Sequence, residues 1–379
     1  MMKKLLIVIV VLCNGFVEAA SVCLNMIVKD ETPVIVRCLE SIKSMIDYWV
    51  IVDTGSTDGT QKLIKECLKD IPGELHERPW VNFCHNRNEA LAFAKGKADY
   101  ILIIDADEEL VFLEKFKRPH LDKDFYYIET NLSGTKYKRV QLINSKIEWK
   151  WSGVVHEVID APGEKSCECL TGVINIARPE GNRSKDPLKY QKDAAVLELA
   201  IEKEPNNSRY VFYLAQSYRD AEELEKALKN YEKRIKMGGW DEEIFWSLLQ
   251  VAILKESLKK DYQEIIDSYM KAFEYRPSRV EPLYRLALYQ RGLGNYSEAY
   301  QVASKGLVLQ ESNDALFVEK WIYDYGLLLE YSIAAYWTGR YLEALLASKI
   351  IKMNSSLPFN FRECVEKNLI WINQKLCTN

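Results

Sequence analysis

The sequence predicts an α/β fold followed by an all-α half. Apolar strand-like runs alternate with amphipathic stretches from Ser21 to about residue 110, and two of those runs end in a carboxylate. From Asp186 the chain reads as helical almost to its end, with small residues recurring at a fixed interval. In chain order, strands are expected at Val22–Val28, Tyr48–Val52, Glu74–Glu77 and Tyr100–Ile104, with helices at about Thr32–Met45, Thr60–Lys69 and Phe83–Ala94. Ile101-Leu102-Ile103-Ile104 is the continuous apolar run of a parallel strand covered on both faces. Phe125–Thr130, Arg139–Ile143 and Gly172–Ile176 extend the sheet, and polar Arg178–Arg183 reads as a hinge between domains.

The helical half reads as tetratricopeptide-like repeats over 186–379, after an α/β domain over 21–180. Paired helices need short side chains where they touch, and Ala215 with Ala227, Ala287 with Ala299 and Ser332 with Ala344 keep a twelve-residue interval. A unit around Ala252–Pro277 fits only with a one-residue slip.

With 379 residues, 51 basic and 55 acidic side chains and four histidines, the chain carries a net charge of -4, which argues against a general nucleic-acid binder. Nine scattered cysteines offer no zinc spacing. Lys3 and Lys4, the apolar run Leu5–Cys13 and the small residues at Val17-Glu18-Ala19 make residues 1–20 read as a secretory leader or short anchor. Export, or membrane association through this segment, is the expectation, with a cytoplasmic location if the leader is unused.

Two acidic constellations carry chemistry. In Val50-Ile51-Val52-Asp53-Thr54-Gly55-Ser56-Thr57-Asp58-Gly59-Thr60 an apolar strand ends in Asp53 and a turn opens a helix, so Asp53 can accept hydrogen bonds from a base or ribose. In Ile104-Asp105-Ala106-Asp107-Glu108-Glu109, alternate residues project to one side, so Asp105 and Asp107 are expected to face one ligand. Two carboxylates beside a diphosphate suit Mg²⁺ or Mn²⁺.

Together with Leu24–Glu31 and Arg87-Asn88-Glu89-Ala90-Leu91, these motifs stand in the order found in family-2 glycosyltransferases of GT-A fold, and the sequence resembles that family over about Ser21–Leu110. The resemblance implies that Glu31 and Asp53 contact the nucleotide, that Arg87 lies near the diphosphate, and that Asp105 and Asp107 bind the metal. Thr54 stands where many members carry a second acidic residue, which leaves the base open, with uridine the expectation. Trp149–Glu157 resembles a later motif of the bacterial lipopolysaccharide-core glucosyltransferase subgroup and its repeat-bearing relatives. Trp151 and Gly153 are expected against sugar or acceptor. Glu157 is expected as the general base of an inverting transfer, with Asp107, Glu108 and Glu109 as other candidates. His156 is expected to complete the metal shell or bind diphosphate.

The reading is thus a metal-dependent glycosyltransferase moving sugar from a nucleoside-diphosphate donor to a glycan or protein acceptor held partly by the repeats. Its alternative is a non-catalytic repeat scaffold with a degenerate nucleotide- or glycan-binding domain.

Overall fold

The computed structural model describes residues 19–114 and 116–378. The expected leader falls almost wholly outside them. Three β/α steps open the chain: β1 (Val22–Val28), α1 (Ile35–Ile42), β2 (Tyr48–Asp53), α2 (Thr60–Cys67), β3 (Gly73–Glu77) and α3 (Phe83–Ala94). There follow β4 (Tyr100–Ile103), β5 (Glu108–Phe112), β6 (Phe125–Leu132), β7 (Thr135–Asn144), β8 (Lys150–Ser152), β9 (Val158–Asp160) and β10 (Cys167–Ala177). One mixed sheet runs β3-β2-β1-β4-β7-β6-β10-β5, with β8 and β9 forming a separate hairpin. β3, β2, β1 and β4 are parallel. β7 runs antiparallel to β4 and β6, and β5 antiparallel to β10.

The parallel strands are buried on both faces: Val50, Ile51 and Val52 of β2 and Leu102 of β4 have no exposed surface. Burial of these runs drives the layer together and fixes where their polar ends emerge. Two local expectations shift. α1 starts at Ile35, after a turn in which the Val34 and Ile35 N–H groups donate to the Glu31 carbonyl; Pro33, lacking an N–H, sits inside that turn. β10 begins at Cys167, ahead of Gly172, because Gly172 at φ +83° permits a register shift between Cys169 and Ile174.

Helices then pair in sequence: α4 (Lys189–Lys203), α5 (Ser208–Asp220), α6 (Leu224–Lys236), α7 (Asp241–Ser257), α8 (Tyr262–Tyr275), α9 (Glu281–Gly292), α10 (Tyr296–Gly306), α11 (Leu327–Trp337), α12 (Tyr341–Lys352) and α13 (Phe359–Thr378). The pairs α5/α6, α9/α10 and α11/α12 meet at the small residues read from the sequence. Ala215, Ala227 and Ala287 are fully buried, and the Ser332 hydroxyl donates to the Ala344 carbonyl at 3.0 Å. α7 spans 17 residues, longer than α5, α9 or α11, and that displaces its partner α8 and accounts for the slipped interval.

Between α10 and α11 the chain leaves the array. A short strand, β11 (Val318–Glu319), pairs with Lys136 and Thr135 of β7, and Lys138 N–H donates to the Ala315 carbonyl at 2.8 Å. β7 thus pairs with β4 near its end and with β11 at its start. Val155 of the β8–β9 connection is buried in the same apolar cluster as Phe212 and Leu249. Repeats and sheet therefore share a core and a ladder.

Candidate active site

Loops after β1, β2 and β4 converge at the carboxyl ends of the parallel strands, where α/β layers bind ligands. β2 delivers Asp53, which is buried. Its Oδ1 accepts the Gly55 and Ser56 N–H groups, both at 2.8 Å. Oδ2, also buried, accepts nothing from the described residues. One oxygen shapes the loop and the other remains for a ligand. Thr54 turns away: its hydroxyl donates to the Val28 carbonyl at 3.0 Å, so recognition on this loop falls to Asp53. The two loops are tied together by Thr57 N–H on Asp30 Oδ1 at 2.7 Å and Glu31 N–H on Thr60 Oγ1 at 2.9 Å.

The acidic motif divides its labour. Arg87 Nη2 donates to Asp105 Oδ1 at 2.7 Å and Arg139 Nη2 to Oδ2 at 3.2 Å. Glu108 accepts the Asp105 N–H at 3.0 Å and pairs through its other oxygen with Arg139. Burial acts to raise the Asp105 carboxyl, but the two guanidiniums outweigh it and hold it below the ordinary carboxylate range. Each oxygen of Asp105 thus accepts from one arginine. Asp107 faces the other way, accepting Gly181 N–H at 3.2 Å, with burial and then the Asp105 charge raising its carboxyl. Glu31 accepts Asn182 N–H at 3.2 and 3.3 Å, and burial pushes it up to about 7.

Residues 178–183, expected as a hinge, lie as a strap across this face. Glu180 pairs with Arg37 at 2.8 Å, and the Arg183 guanidinium lies 4.6 Å from the centre of the Phe83 ring. A side chain at Gly181 would come within 3.0 Å of Asp107 Oδ2 and 3.3 Å of Glu31 Oε2. A side chain there would push both carboxylates back by a few tenths of an ångström.

The β8–β9 hairpin brings in the third motif. Gly153 at φ +108° makes the turn, and a Cβ there would sit 3.4 Å from the Glu157 Cα. The Glu157 side chain is 8% exposed, with Oε2 3.9 Å from Arg87 Nε. Its Oε1 is buried and accepts no hydrogen bond from the described residues. Burial raises the Glu157 carboxyl against the pull of Arg87. Arg87 is therefore the hub, reaching Asp105 on one side and Glu157 on the other.

Trp151 and His156 depart from expectation. The Trp151 ring is buried with Arg87 stacked 5.0 Å from its centre, and Asn88 brackets its backbone with hydrogen bonds of 2.9 Å to both N–H and carbonyl. It is a wall for Arg87, not an open sugar platform. His156, at φ +55°, stacks on Tyr213 of α5 with ring centres 4.1 Å apart, and its carbonyl accepts Arg209 Nη2 at 3.0 Å. The residue is nonetheless exposed, while the protein packed around the ring, with Arg183, Arg209 and Lys189, holds the imidazole down to about 3. No group of three or more His, Cys, Asp or Glu side chains able to hold an ion occurs among the described residues, so His156, Asp105 and Asp107 do not form the expected ligand set. A cation still fits with fewer protein ligands: Asp107 and Glu31 flank one gap, and Mg²⁺ commonly binds through one or two carboxylates plus substrate phosphates.

Arg139 lies among these groups and was not singled out from the sequence. Tyr137-x-Arg139-x-Gln141 in an otherwise apolar strand was the available signal for Arg139.

Strand order, an orphaned carboxylate oxygen after β2, an acidic motif after β4 and a buried glutamate on the hairpin together make the carboxyl ends of the parallel strands the candidate ligand site of this α/β layer. Residues 23–124 match the family described as glycosyl transferase family 2. Residues 23–124 thus carry a family-2 glycosyltransferase domain, and tetratricopeptide-like helix pairs follow the sheet. The chain is similar at 26% identity over 309 residues to a TPR repeat-containing protein of Synechococcus elongatus, covering 76% of this chain and 75% of that one. It is 25% identical over 242 residues to the SPbeta prophage-derived glycosyltransferase SunS of Bacillus subtilis, covering 57% of this chain and only 55% of SunS. An uncharacterized glycosyltransferase of Rickettsia prowazekii is 22% identical over 262 residues, 65% of this chain and 81% of its own. Among solved structures, the MamA protein overlaps 45% of this chain and 88% of its own at 15% identity and a TM-score of 0.35. That overlap carries no argument, and the repeat assignment rests on the helix pairs and their small-residue contacts.

Proposed function

We propose that the chain transfers a sugar from a nucleoside-diphosphate donor, with UDP the expected carrier, to a hydroxyl of a glycan or protein acceptor, with inversion at the anomeric carbon. The observation that carries this is Glu157: buried, with one oxygen free of hydrogen bonds, and joined through Arg87 to the acidic motif.

The steps follow from these side chains. Asp53 Oδ2 takes a hydrogen bond from the base or ribose, and Arg87 lies beside the diphosphate. Asp107, with Glu31 across the strap, would hold Mg²⁺ or Mn²⁺, which when bound neutralises the departing diphosphate. Glu157 accepts the proton of the acceptor hydroxyl as its oxygen bonds to the anomeric carbon, and the electron pair of the breaking C–O bond leaves with the diphosphate. Attack opposite the leaving group inverts the centre. α5, whose Tyr213 backs His156 next to Glu157, supports a role for the repeats in holding the acceptor.

Isothermal titration with UDP and GDP, with and without Mn²⁺, tests the donor half of this reading. Expected is metal-dependent binding of one diphosphate, abolished in Asp107→Asn and reduced in Asp53→Asn. Failure of folded protein to bind either nucleotide would move the function to the repeats and favour the scaffold alternative.

A further inference from the structure

We propose that the outer face of α12 docks on an anionic lipid surface. α12 is apolar on two sides. Ala344, Ala347, Ser348 and Ile351 are buried toward its neighbours, as a packed helix requires. On the other side Leu342, Leu346, Ile350 and Met353 are 66%, 63%, 59% and 84% exposed. Their spacing of four, four and three residues sets them on one stripe of the helix. Phe359, 82% exposed, follows at the start of α13. Isolated exposed apolar side chains are ordinary on a protein surface, but an ordered stripe of them marks a contact.

Charge selects the partner. Lys349 lies within the stripe, one turn beyond Leu346. From Arg340 to the end, the chain carries six lysines and arginines against three glutamates and no aspartate, on a protein whose net charge is -4. Lys352 and Lys367 pair with Glu366 and Glu363, so the exposed Lys349 is the lysine on the stripe itself, and an apolar helix face bearing it is suited to the interface of an anionic membrane, where apolar side chains enter the acyl boundary and the lysine meets phosphate. A second copy of the chain is the poorer occupant, because a two-fold contact would bring Lys349 and its basic surroundings against themselves. No described helix is long and apolar enough to cross a bilayer, so this contact would lie on the surface. The apolar run Leu5–Cys13 behind Lys3 and Lys4 would supply a second hold, and peripheral anchoring commonly needs two.

Flotation of the full chain with phosphatidylglycerol-containing vesicles and with pure phosphatidylcholine vesicles tests this, read together with hydroxyl-radical oxidation of Met353. Expected is preferential flotation with the anionic vesicles that weakens at high salt, protection of Met353 on binding, and a loss of about tenfold in the bound fraction for L346E/I350E. The oxidation readout separates this face from any binding by the N-terminal run. Met353 oxidised equally with and without bound vesicles, or a double variant that floats like the parent, would overturn the proposal. So would sedimentation of the parent as a dimer that L346E/I350E converts to monomer, since that outcome assigns the face to a second copy.

Discussion

Arg87 and Arg139 between them hold three carboxylates in place, and the division of roles at the site follows from what each acid has as a partner. Asp105 is gripped by both arginines, Asp107 accepts only the Gly181 N–H among the described residues, and Glu157 Oε1 accepts none. Replacing Glu157 with Gln is expected to lower turnover about 10²- to 10⁴-fold while leaving nucleotide affinity near the parent value, measured by donor consumption and titration. Because burial raises the folded-state pKa of Glu157 above its ordinary 4.5, the base form is lost as pH falls through a midpoint above that value. The acidic limb of the rate profile should therefore sit above the ordinary glutamate range and vanish in Glu157→Gln. The same shift has a stability sign: the folded state binds the extra proton, so this group contributes less to stability as pH rises through its folded pKa. Arg139→Met leaves Glu108 buried without its cation and Asp105 with Arg87 alone, and a loss of about 3–5 kcal/mol is expected from chemical denaturation, the usual cost of breaking a buried ion pair. Asp53 and Asp105 were legible in the sequence because each directly follows an apolar run that must be a buried strand, and Asp107 because it stands two residues beyond Asp105. Their partners were not, since Arg139 arrives from a strand some thirty residues further on through antiparallel pairing that no local pattern encodes.

At the scale of elements, the β8–β9 hairpin and the strap do the positioning. Gly153 works through the backbone: at φ +108° an alanine is strained, and its Cβ would press on the Glu157 Cα at 3.4 Å. Gly153→Ala should cost about 1 kcal/mol or more in thermal denaturation and lower turnover with little change in UDP affinity. Affinity falling while turnover holds would place Gly153 at the donor instead. The sequence marked Gly153 as important for ligand approach, and the structure assigns it to the turn that sets Glu157. The strap escaped notice for a related reason. A polar Arg-Pro-Glu-Gly-Asn-Arg stretch satisfies the pattern of an interdomain linker equally well, and only the tertiary fold lays it over Glu31 and Asp107. β5 was hidden because its two leading glutamates read as a continuation of the acidic turn, although Glu108 is buried by its pairing with Arg139.

For the whole molecule, the latch around β11 fastens the repeats to the sheet. Arg279, fully buried, pairs with Glu281 and Asp314 and donates to the Phe317 carbonyl at 2.7 Å, fixing the inserted segment. Phe317 then meets Trp246 of α7 and Tyr137 of β7 at 4.9 and 5.9 Å between ring centres. Arg279→Ala is expected to destabilise by about 3–5 kcal/mol and to split one calorimetric transition into two as the units uncouple. The two-part architecture was legible from hydrophobic period and small-residue spacing, while the latch was not, since a two-residue strand inside a helical array has too little sequence to signal itself.

The most direct test of Glu157 as the base of an inverting transfer is turnover of a panel of UDP- and GDP-sugars by the full chain with Mn²⁺, with the product anomer read by NMR, for the parent and Glu157→Gln. Metal-dependent release of one nucleoside diphosphate with an inverted product, lost in the variant while nucleotide binding persists, is the expected result. Turnover by Glu157→Gln at the parent rate, or a product with retained configuration, would contradict it.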